Sequence, residues 1–543
     1  MRSFFRYILA LLLLLGASQA GATNTHRSML DGDSVVTPLP VVTSCYTFSW
    51  EGQTVSTPGN HTLRKVLAAG SHTGADSIVL QPVVIYDSVR RDIRTEVCDR
   101  YVWNGVTYTS AAQSGTYRHT ETSHHGCDSN VYLHLTINNP SGIYKKGEKA
   151  IVTCHVDKAL SDSLTVRISE NNHQISERRI LANKAEFTVY EQAYNKNCAV
   201  MVEITQADGK TGGAGFVVAP EEFRSGYTEP ADLMEYWDNQ KALLKALPMQ
   251  VQTQALDVPE WAQDKYECQD LEINCLGPAP VRGYVAKPVG AQPKSLPIII
   301  LCRAAGVKGN WCRCSVGECV GNAALGNGTL SLDLNAHGYL NGQSDEYYQM
   351  LEDGLLKEYY EHNAYDRETY YFKGMYLRLL RGIEYMTQQP EWDGKRIIVI
   401  GESQGGGQAA AAAGLDNRVS AVALNVPAMQ DLGGTRADRR GGWPHPIENH
   451  PDLSQEMLDA TLPYFDGSLL LAHSEAEIFC EIGLIDTTCP PSAVWSSLNA
   501  AKGKKTVKCV PYRTHAWPEG FWRPLWEQDY LKPRQDFIAN YLK

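Results

Sequence analysis

Two features are missing from this sequence of 543 residues: a long hydrophobic run and an excess of positive charge. After residue 15, no stretch reaches the roughly 20 apolar residues that a membrane-spanning helix needs. The formal net charge is -11, and the acidic and basic residues are interspersed along the chain. Nucleic acid and anionic lipid both select for a positive surface, so we expect neither as a partner. Neutral substrates are compatible with this charge.

The residue pattern of a zinc site is also missing. The chain has 14 cysteines, and three of them, Cys312, Cys314 and Cys319, are crowded together. No histidine lies near them, and their spacing matches no zinc-binding pattern. We therefore expect disulfides or free thiols at these positions and no metal site.

The first twenty residues have the composition of an export signal. Two arginines precede an apolar run from Ile8 to Leu15, and small residues follow up to Ala20. This run is too short to span a bilayer, so we predict a signal peptide that is cleaved after Ala20. The mature protein is then expected to be secreted or periplasmic, where disulfides can form.

Residues 45–140 contain an internal repeat. The segment Cys45-Tyr-Thr-Phe-Ser-Trp50-Glu-Gly52 is echoed by Cys98-Asp-Arg-Tyr-Val-Trp103-Asn-Gly105. Alternating and β-branched residues between Gly, Ser and Asn predict two short β modules. The second copy alone has a cysteine in its closing segment, so we predict a disulfide between Cys98 and Cys127.

Residues 141–222 are predicted to form a further all-β domain. Segments 150–156, 163–168 and 199–204 have strand-like composition, with turn residues between them. An immunoglobulin-like sandwich is the expected arrangement. No catalytic pattern occurs in either β region, so support or spacing is their simplest role.

From residue 223 the pattern changes to strands that alternate with helices, which indicates a mainly parallel sheet. Continuous apolar runs predict strands that are buried on both faces. These runs are residues 297–301, 396–400, 419–424, 477–482 and 506–510. Apolar residues at helical spacing predict an amphipathic helix over 368–388. The predicted fold class is therefore α/β, preceded by small all-β domains.

The motif Gly401-Glu-Ser403-Gln-Gly405 follows a predicted strand and opens into an alanine-rich helix. This is the nucleophile elbow of an α/β-hydrolase in the setting that it requires. The turn is too tight for side chains beside the serine, which explains the two flanking glycines. We therefore predict that Ser403 is the nucleophile.

A serine nucleophile needs a histidine base and an orienting carboxylate, in the chain order Ser, acid, His. Asp486 and His515 both follow predicted strands, at the sheet edge where Ser403 also lies. The oxyanion hole needs two backbone N–H groups. Gln404 is expected to supply one, and Ala305 or an immediate neighbour the other. All these residues lie in 223–543, which we expect to be active by itself.

Several motifs together resemble the acetyl xylan esterase/cephalosporin-C deacetylase family, which is carbohydrate esterase family seven. They are Pro390-Glu-Trp-Asp-Gly-Lys395, Gly401-Glu-Ser-Gln-Gly-Gly-Gly407, Leu484-Ile-Asp-Thr-Thr-Cys-Pro-Pro-Ser492, Asp366-Arg-Glu-Thr-Tyr-Tyr-Phe-Lys-Gly374 and Asn425-Val-Pro427. The resemblance implies hydrolysis of acetyl and other short acyl esters on xylan fragments or related small molecules. It also implies the roles of nucleophile, acid and base for Ser403, Asp486 and His515. This mechanism needs no metal or organic cofactor.

Two positions depart from the family pattern. Family members usually have Arg-Gly-Gln after the third strand, where this chain has Leu334-Asn-Ala-His337-Gly338. They tend to have Glu after the catalytic histidine, where this chain has Ala516. Neither departure removes a predicted catalytic residue.

Two other functions stay open at this point. One is an α/β-hydrolase peptidase of the prolyl-oligopeptidase kind, but residues 45–222 are too short and differently patterned for its gating domain. The other is a carbohydrate-binding surface protein with a degenerate hydrolase domain, which the complete Ser, Asp and His set disfavours. The sequence leaves the natural ester, the ligand of the β repeats and the oligomeric state undetermined.

Overall fold

The computed structural model describes residues 35–67, 77–87, 89–98, 101–104, 106–108, 115–122, 128–138, 141–155, 163–181, 186–206, 209, 211–520 and 522–543. The signal peptide and Cys127 lie outside these ranges, so cleavage after Ala20 and the Cys98–Cys127 disulfide stay predictions. The chain divides into two compact units, Met1–Ile137 and Asn138–Lys543. No helix in the described ranges is both long and apolar enough to cross a membrane.

The described part of the first unit consists of β strands. They are β1 Val35–Pro38, β2 Val42–Cys45, β3 Phe48–Trp50, β4 Gln53–Val55, β5 Gly59–Leu67, β6 Ser77–Tyr86, β7 Val89–Cys98, β8 Tyr101–Trp103, β9 Val106–Tyr108, β10 Gly115–Thr122 and β11 Asp128–Asn138. The sequence repeat corresponds to two tight hairpins, β3–β4 and β8–β9. Glu51 and Asn104 occupy equivalent turn positions with φ of 50° and 48°, as two-residue hairpin turns require.

The second unit begins with two β sheets. Its first strands are β12 Ile143–Tyr144, β13 Lys149–His155, β14 Ser163–Glu170, β15 His173–Leu181, β16 Glu186–Ala193, β17 Cys198–Thr205 and β18 Thr211–Val218. One sheet has the order β12-β18-β17-β14-β15, and β13 pairs with β16 in the other. Ala150 and Val189 of the small sheet share a buried core with Val166 and Val200 of the large one. We call this part of the chain the β sandwich.

A nine-stranded sheet follows in the second unit. Its strands are β19 Val251–Leu256, β20 Tyr266–Ile273, β21 Val281–Pro288, β22 Leu296–Cys302, β23 Leu330–Asn335, β24 Trp392–Glu402, β25 Ala421–Asn425, β26 Glu477–Gly483 and β27 Lys505–Val510. Their order is β19-β20-β21-β23-β22-β24-β25-β26-β27, and β23 to β27 are parallel. In the sheet, β23 precedes β22, the reverse of their order along the chain. Strand β24 lies next to β22 near the centre of the sheet, where the apolar strands are buried on both faces.

Helices cover the nine-stranded sheet. They are α1 Leu233–Ala246, α2 Val316–Ala323, α3 Asp345–Asp353, α4 Tyr371–Thr387, α5 Gln404–Leu415, α6 Pro446–Asn449, α7 Gln455–Asp459, α8 Gly467–Leu470, α9 Pro491–Ala500, α10 Trp522–Trp526 and α11 Lys532–Tyr541, with a π-helical turn at Glu527–Leu531. Every residue of α5 is buried, because its glycines and alanines let it lie close against the sheet. The predicted α/β fold class, with all-β regions before it, is confirmed.

The β sandwich packs against two loops at the edge of this sheet. The Gly215 N–H donates to the Pro511 carbonyl at 2.7 Å. A Cβ atom on Gly215 would overlap the backbone of Leu484. Leu484 precedes Asp486, and Pro511 precedes His515, so the sandwich supports both loops that carry predicted site residues. Removal of residues 21–222 would remove this support, so the activity of residues 223–543 by themselves stays a prediction.

Replacing Gly215 with alanine tests this support. The new methyl group would force the sandwich away from the Leu484 loop, and overpacking of this kind costs about 1–3 kcal/mol. We expect a lower free energy of unfolding and a lower turnover of a small acetate ester, measured by denaturant titration and a spectrophotometric assay. Gly212→Ala is the matched control, because a Cβ there meets nothing within 4 Å. Equal behaviour of the two variants would contradict the support.

Candidate active site

Ser403 lies at the sharp turn between β24 and α5, with φ 55° and ψ -120°. This conformation is strained for a residue with a side chain and costs about 1–3 kcal/mol. A Cβ on Gly401 would overlap the backbone of Gly405, and one on Gly405 would overlap the carbonyl of Cys302. The Ser403 N–H donates to the Asn425 carbonyl at 2.9 Å, which anchors the turn to the next strand. Only glycine fits at the positions two residues before and two residues after the serine.

The structure brings Ser403, His515 and Asp486 into one hydrogen-bonded relay. His515 Nε2 lies 2.9 Å from Ser403 Oγ, and His515 Nδ1 lies 2.8 Å from Asp486 Oδ2. A carboxylate only accepts, so Nδ1 carries the proton and Nε2 is left to accept from the serine hydroxyl. Asp486 is fully buried, whereas the His515 side chain is 29% exposed. This arrangement can remove the serine proton when an ester approaches.

The Asp486 carboxylate is fixed by its own loop. Its Oδ1 atom accepts the N–H groups of Thr488 and Cys489, each at 2.8 Å. The Ile485 N–H donates to the Arg513 carbonyl at 3.2 Å, which ties the acid loop to the loop of the base. Both carboxylate oxygens are therefore occupied, and Oδ2 points to the imidazole.

Asp486, Cys489 and His515 are also the one group of potential metal ligands found in the described ranges, with atoms within 4.8 Å of one another. The relay accounts for this clustering, since the histidine nitrogens and carboxylate oxygens already pair. Burial raises the pKa of the Cys489 thiol well above its ordinary value, which disfavours the thiolate that a metal needs. We assign no metal or cofactor to these residues.

Arg513 links the loop of His515 to three strand ends. Its guanidinium is fully buried and pairs with Glu481 of β26. It also donates to Glu402 Oε1 at 2.9 Å and to Asn425 Oδ1 at 3.1 Å. The Trp526 indole N–H donates to the same Glu481 carboxylate at 2.5 Å. Arg513 is two residues from His515, so these bonds fix the backbone from which the imidazole extends.

A second polar network supports the other side of the elbow. His337 Nε2 lies 2.9 Å from the Gly306 carbonyl, and His337 Nδ1 lies 2.7 Å from Tyr371 Oη. A carbonyl only accepts, so Nε2 carries the proton and Nδ1 accepts from the tyrosine. Tyr359 Oη donates to the side-chain oxygen of Gln404 at 2.5 Å. The Gly306 N–H also points to Tyr359 Oη, at 3.4 Å.

Burial lowers the pKa of His337 to about 3, helped by the nearby positive charge of Arg378. The side chain is thus a neutral imidazole at neutral pH. A neutral ring can keep one donor and one acceptor, which are the two groups that Gly306 and Tyr371 require.

The predicted oxyanion donors lie on either side of the elbow. Gln404 is the first residue of α5, where backbone N–H groups have no acceptor within the helix. Ala305 follows β22, and its carbonyl accepts the indole N–H of Trp311 at 2.9 Å. These positions are compatible with the predicted roles, and the choice of Ala305 stays a prediction.

Sequence reasoning did not single out Arg513, Glu402 or Tyr359. Glu481 offered one signal, because a charged residue within an apolar strand indicates a buried partner. In the sequence, His337 stands out only as a departure from a family pattern. The crowded cysteines Cys312, Cys314 and Cys319 are free thiols, one of the two states expected for them.

Comparison with protein families places a match in the second unit. The model described as acetyl xylan esterase (AXE1) matches residues 220–524, which include the elbow, the acid loop and the base loop. Among curated proteins, the chain is 27% identical over 382 residues to "Acetyl esterase Axe7A" of Xylanibacter ruminicola, covering 68% of this chain and 84% of that protein.

Solved structures with similar chains include two acetyl xylan esterases. The enzyme from Paenibacillus sp. R4 is 26% identical with a TM-score of 0.48, covering 60% of this chain and 98% of that one. Acetyl xylan esterase 1 from Thermoanaerobacterium sp. JW/SL YS485 is 20% identical with a TM-score of 0.46, with the same coverage of 60% and 98%.

The buried histidine predicts a specific sensitivity to acid. In the unfolded chain His337 takes up a proton near its ordinary pKa of 6.5, but in the folded protein only near 3. Stability from this group is complete above pH 6.5 and is lost as the pH falls towards 3. His337→Gln should therefore reduce the loss of unfolding free energy between pH 7 and 4.5 by about 2–3 kcal/mol.

Urea titrations at the two pH values measure this difference directly. His445, whose pKa burial lowers to about 4, keeps its own contribution in both proteins. His362→Gln, at an exposed position, is the control and should keep the wild-type pH dependence. An unchanged pH dependence in His337→Gln would show that His337 is not a buried neutral group.

Proposed function

The chain belongs to the acetyl xylan esterase family, and we propose that it is a secreted serine esterase that removes acetyl groups from xylan-type oligosaccharides or related small esters. The observation that carries the proposal is the Ser403–His515–Asp486 relay, with hydrogen bonds of 2.9 and 2.8 Å. The relay lies at the carboxyl ends of β24, β26 and β27, where α/β sheets place their reacting groups.

In the first half of the reaction Ser403 Oγ attacks the ester carbonyl carbon. His515 Nε2 takes the serine proton, and the carbonyl electrons move to the oxygen. Asp486 stabilises the imidazolium that forms, through the bond to Nδ1. Collapse of the tetrahedral intermediate breaks the bond to the alcohol, which leaves with the proton from Nε2. The product is an acetyl-serine and a free hydroxyl on the substrate.

In the second half water takes the place of the alcohol. His515 removes a proton from water, and the hydroxide attacks the acetyl carbon bound to Ser403. Collapse releases acetate and returns the proton to the serine. No step needs a metal or organic cofactor, so the residues named here are sufficient for the chemistry.

The negative charge on the intermediate needs hydrogen-bond donors that are already in place. We assign the backbone N–H of Gln404 as one donor and that of Ala305 as the second. The second polar network supports this assignment, because Tyr359 bonds to the Gln404 side chain and His337 bonds to Gly306, next to Ala305. Both loops are therefore fixed before substrate binds.

Acetyl is the acyl group that the family favours, and the relative from Xylanibacter ruminicola carries the name acetyl esterase. The description of the family as acetyl xylan esterase supports a sugar as the alcohol part of the ester. The predicted signal peptide supports a reaction outside the cytoplasm.

Two alternatives are less well supported. Residues 45–222 are too short and differently patterned for the gating domain of a prolyl-oligopeptidase-like peptidase, which disfavours that function. A degenerate hydrolase domain is disfavoured because the relay has complete hydrogen bonds and a strained elbow, and strain of this kind is retained at functional sites.

Replacing Ser403 with alanine should abolish ester hydrolysis. Loss of the nucleophile in an enzyme of this mechanism lowers turnover by roughly a millionfold. The melting temperature should stay the same or rise, since the strained position loses only a hydroxyl. Turnover of 4-nitrophenyl acetate by the purified, folded variant measures the effect. Retention of more than a small fraction of the wild-type rate would refute Ser403 as the nucleophile.

The substrate class is tested by a panel of acyl donors. We expect acetate release from acetylated xylo-oligosaccharides and from small acetate esters, and little cleavage of dipeptide chromogens. Chromatographic detection of acetate and a colorimetric peptidase assay give the two rates. Faster cleavage of the dipeptide than of any acetate ester would support the peptidase instead.

A further inference from the structure

Trp517 is an exposed aromatic residue beside the relay. It lies two residues after His515, and 45% of its surface is open to solvent. Its indole N–H donates to Glu402 Oε1 at 2.6 Å, and Glu402 directly precedes Ser403. The ring is thus attached to the loop of the base by its backbone and to the elbow by its nitrogen. Trp517 therefore lies at the edge of the active site.

Contacts with buried and charged side chains fix the orientation of the Trp517 ring. The buried Trp526 ring lies 5.6 Å from it, centroid to centroid. The Arg523 guanidinium carbon lies 5.0 Å from both ring centroids. Glu402 is itself fixed by the buried Arg513 at 2.9 Å. A ring that is already immobilised loses little entropy when a ligand packs on it.

The direction of proton transfer shows which part of an ester meets this ring. In the proposed mechanism the leaving oxygen takes its proton from His515 Nε2, so the alcohol part lies on the His515 side of Ser403. Trp517 belongs to the same loop as His515. The acyl oxygen instead faces the oxyanion donors at Gln404 and Ala305. Trp517 is therefore placed to contact the alcohol and not the acetyl group.

The chemistry of the exposed indole matches one kind of alcohol. A pyranose ring has a face of C–H bonds and a rim of hydroxyl groups. A flat apolar ring can cover the C–H face and leave the hydroxyl groups in water. An acyclic alcohol such as glycerol has no face of this kind and gains much less from the same contact.

We propose that Trp517 is the platform on which the sugar ring that carries the acetyl ester packs, which makes it a specificity-determining residue. This inference rests on the proposed function and deepens it, because it assigns recognition of the sugar to one residue. The platform adds no chemical step to the reaction. It increases the time that the sugar ester spends beside Ser403.

The test compares two substrates with three variants. Acetylated xylobiose offers a pyranose face, and glycerol triacetate does not. Trp517→Ala should lower kcat/KM on acetylated xylobiose about tenfold, mainly through a higher KM, and change glycerol triacetate hydrolysis less than about threefold. Trp517→Phe keeps a flat ring without the N–H and should retain most of the activity on the sugar.

Trp261→Ala is the matched control. Trp261 is 52% exposed and lies beside β20, four strands away from β24 in the sheet order. This variant should behave as the wild type on both substrates. Size-exclusion chromatography of all variants accompanies the kinetics, because an exposed tryptophan can also serve in an interface between copies of the chain.

Three results would overturn the platform. They are an equal loss on both substrates in Trp517→Ala, no loss on the sugar, and a change of oligomeric state that accompanies the loss. A loss in Trp517→Phe as large as in Trp517→Ala would assign the effect to the bond with Glu402. Failure of the proposed function is distinct, because the unmutated enzyme would then release no acetate from the sugar while it hydrolysed glycerol triacetate.

Discussion

The close approach of backbone at the elbow is the constraint on which the rest of the site depends. Ser403 can hold φ 55° only because Gly401 and Gly405 have no Cβ atoms to collide with the neighbouring backbone. The alanines and glycines of α5 extend this close packing along the sheet. The strain at one residue is thus supported by a buried strand and a buried helix. The hydroxyl projects from a turn that cannot relax without moving both.

Two polar networks hold the loops on either side of that turn. Arg513 pairs with Glu481 and Glu402 where the base loop leaves β27. His337 and Tyr359 bond to Gly306 and Gln404 on the oxyanion side. A buried charge destabilises the folded protein unless it is paired. Breaking such a pair leaves one charge buried without a partner, which costs several kcal/mol, about 3–5. Such networks therefore give the loops one arrangement rather than several.

The β sandwich adds a third support from outside the hydrolase sheet. The hydrogen bond from Gly215 to Pro511 and the contact with Leu484 reach the two loops that hold His515 and Asp486. A domain without catalytic residues can thus influence catalysis through the loops that it packs against. The boundary near residue 222 separates two kinds of sequence pattern, but residues 138–543 form one compact unit.

The sequence alone determined the α/β class, most of the strands and the three residues of the relay. These features are local, because hydrophobic periodicity and the Gly-Glu-Ser-Gln-Gly motif lie within short stretches of chain. Asp486 and His515 could be predicted because the order of the triad along the chain and the ends of parallel strands indicate where these residues meet. Only the tertiary structure decided that Trp517 bonds to Glu402, 115 residues away, and that Arg513 pairs with Glu481. It also decided that the sandwich supports Leu484. Such contacts depend on strand order and on which loops meet at one sheet edge, and no local pattern encodes either.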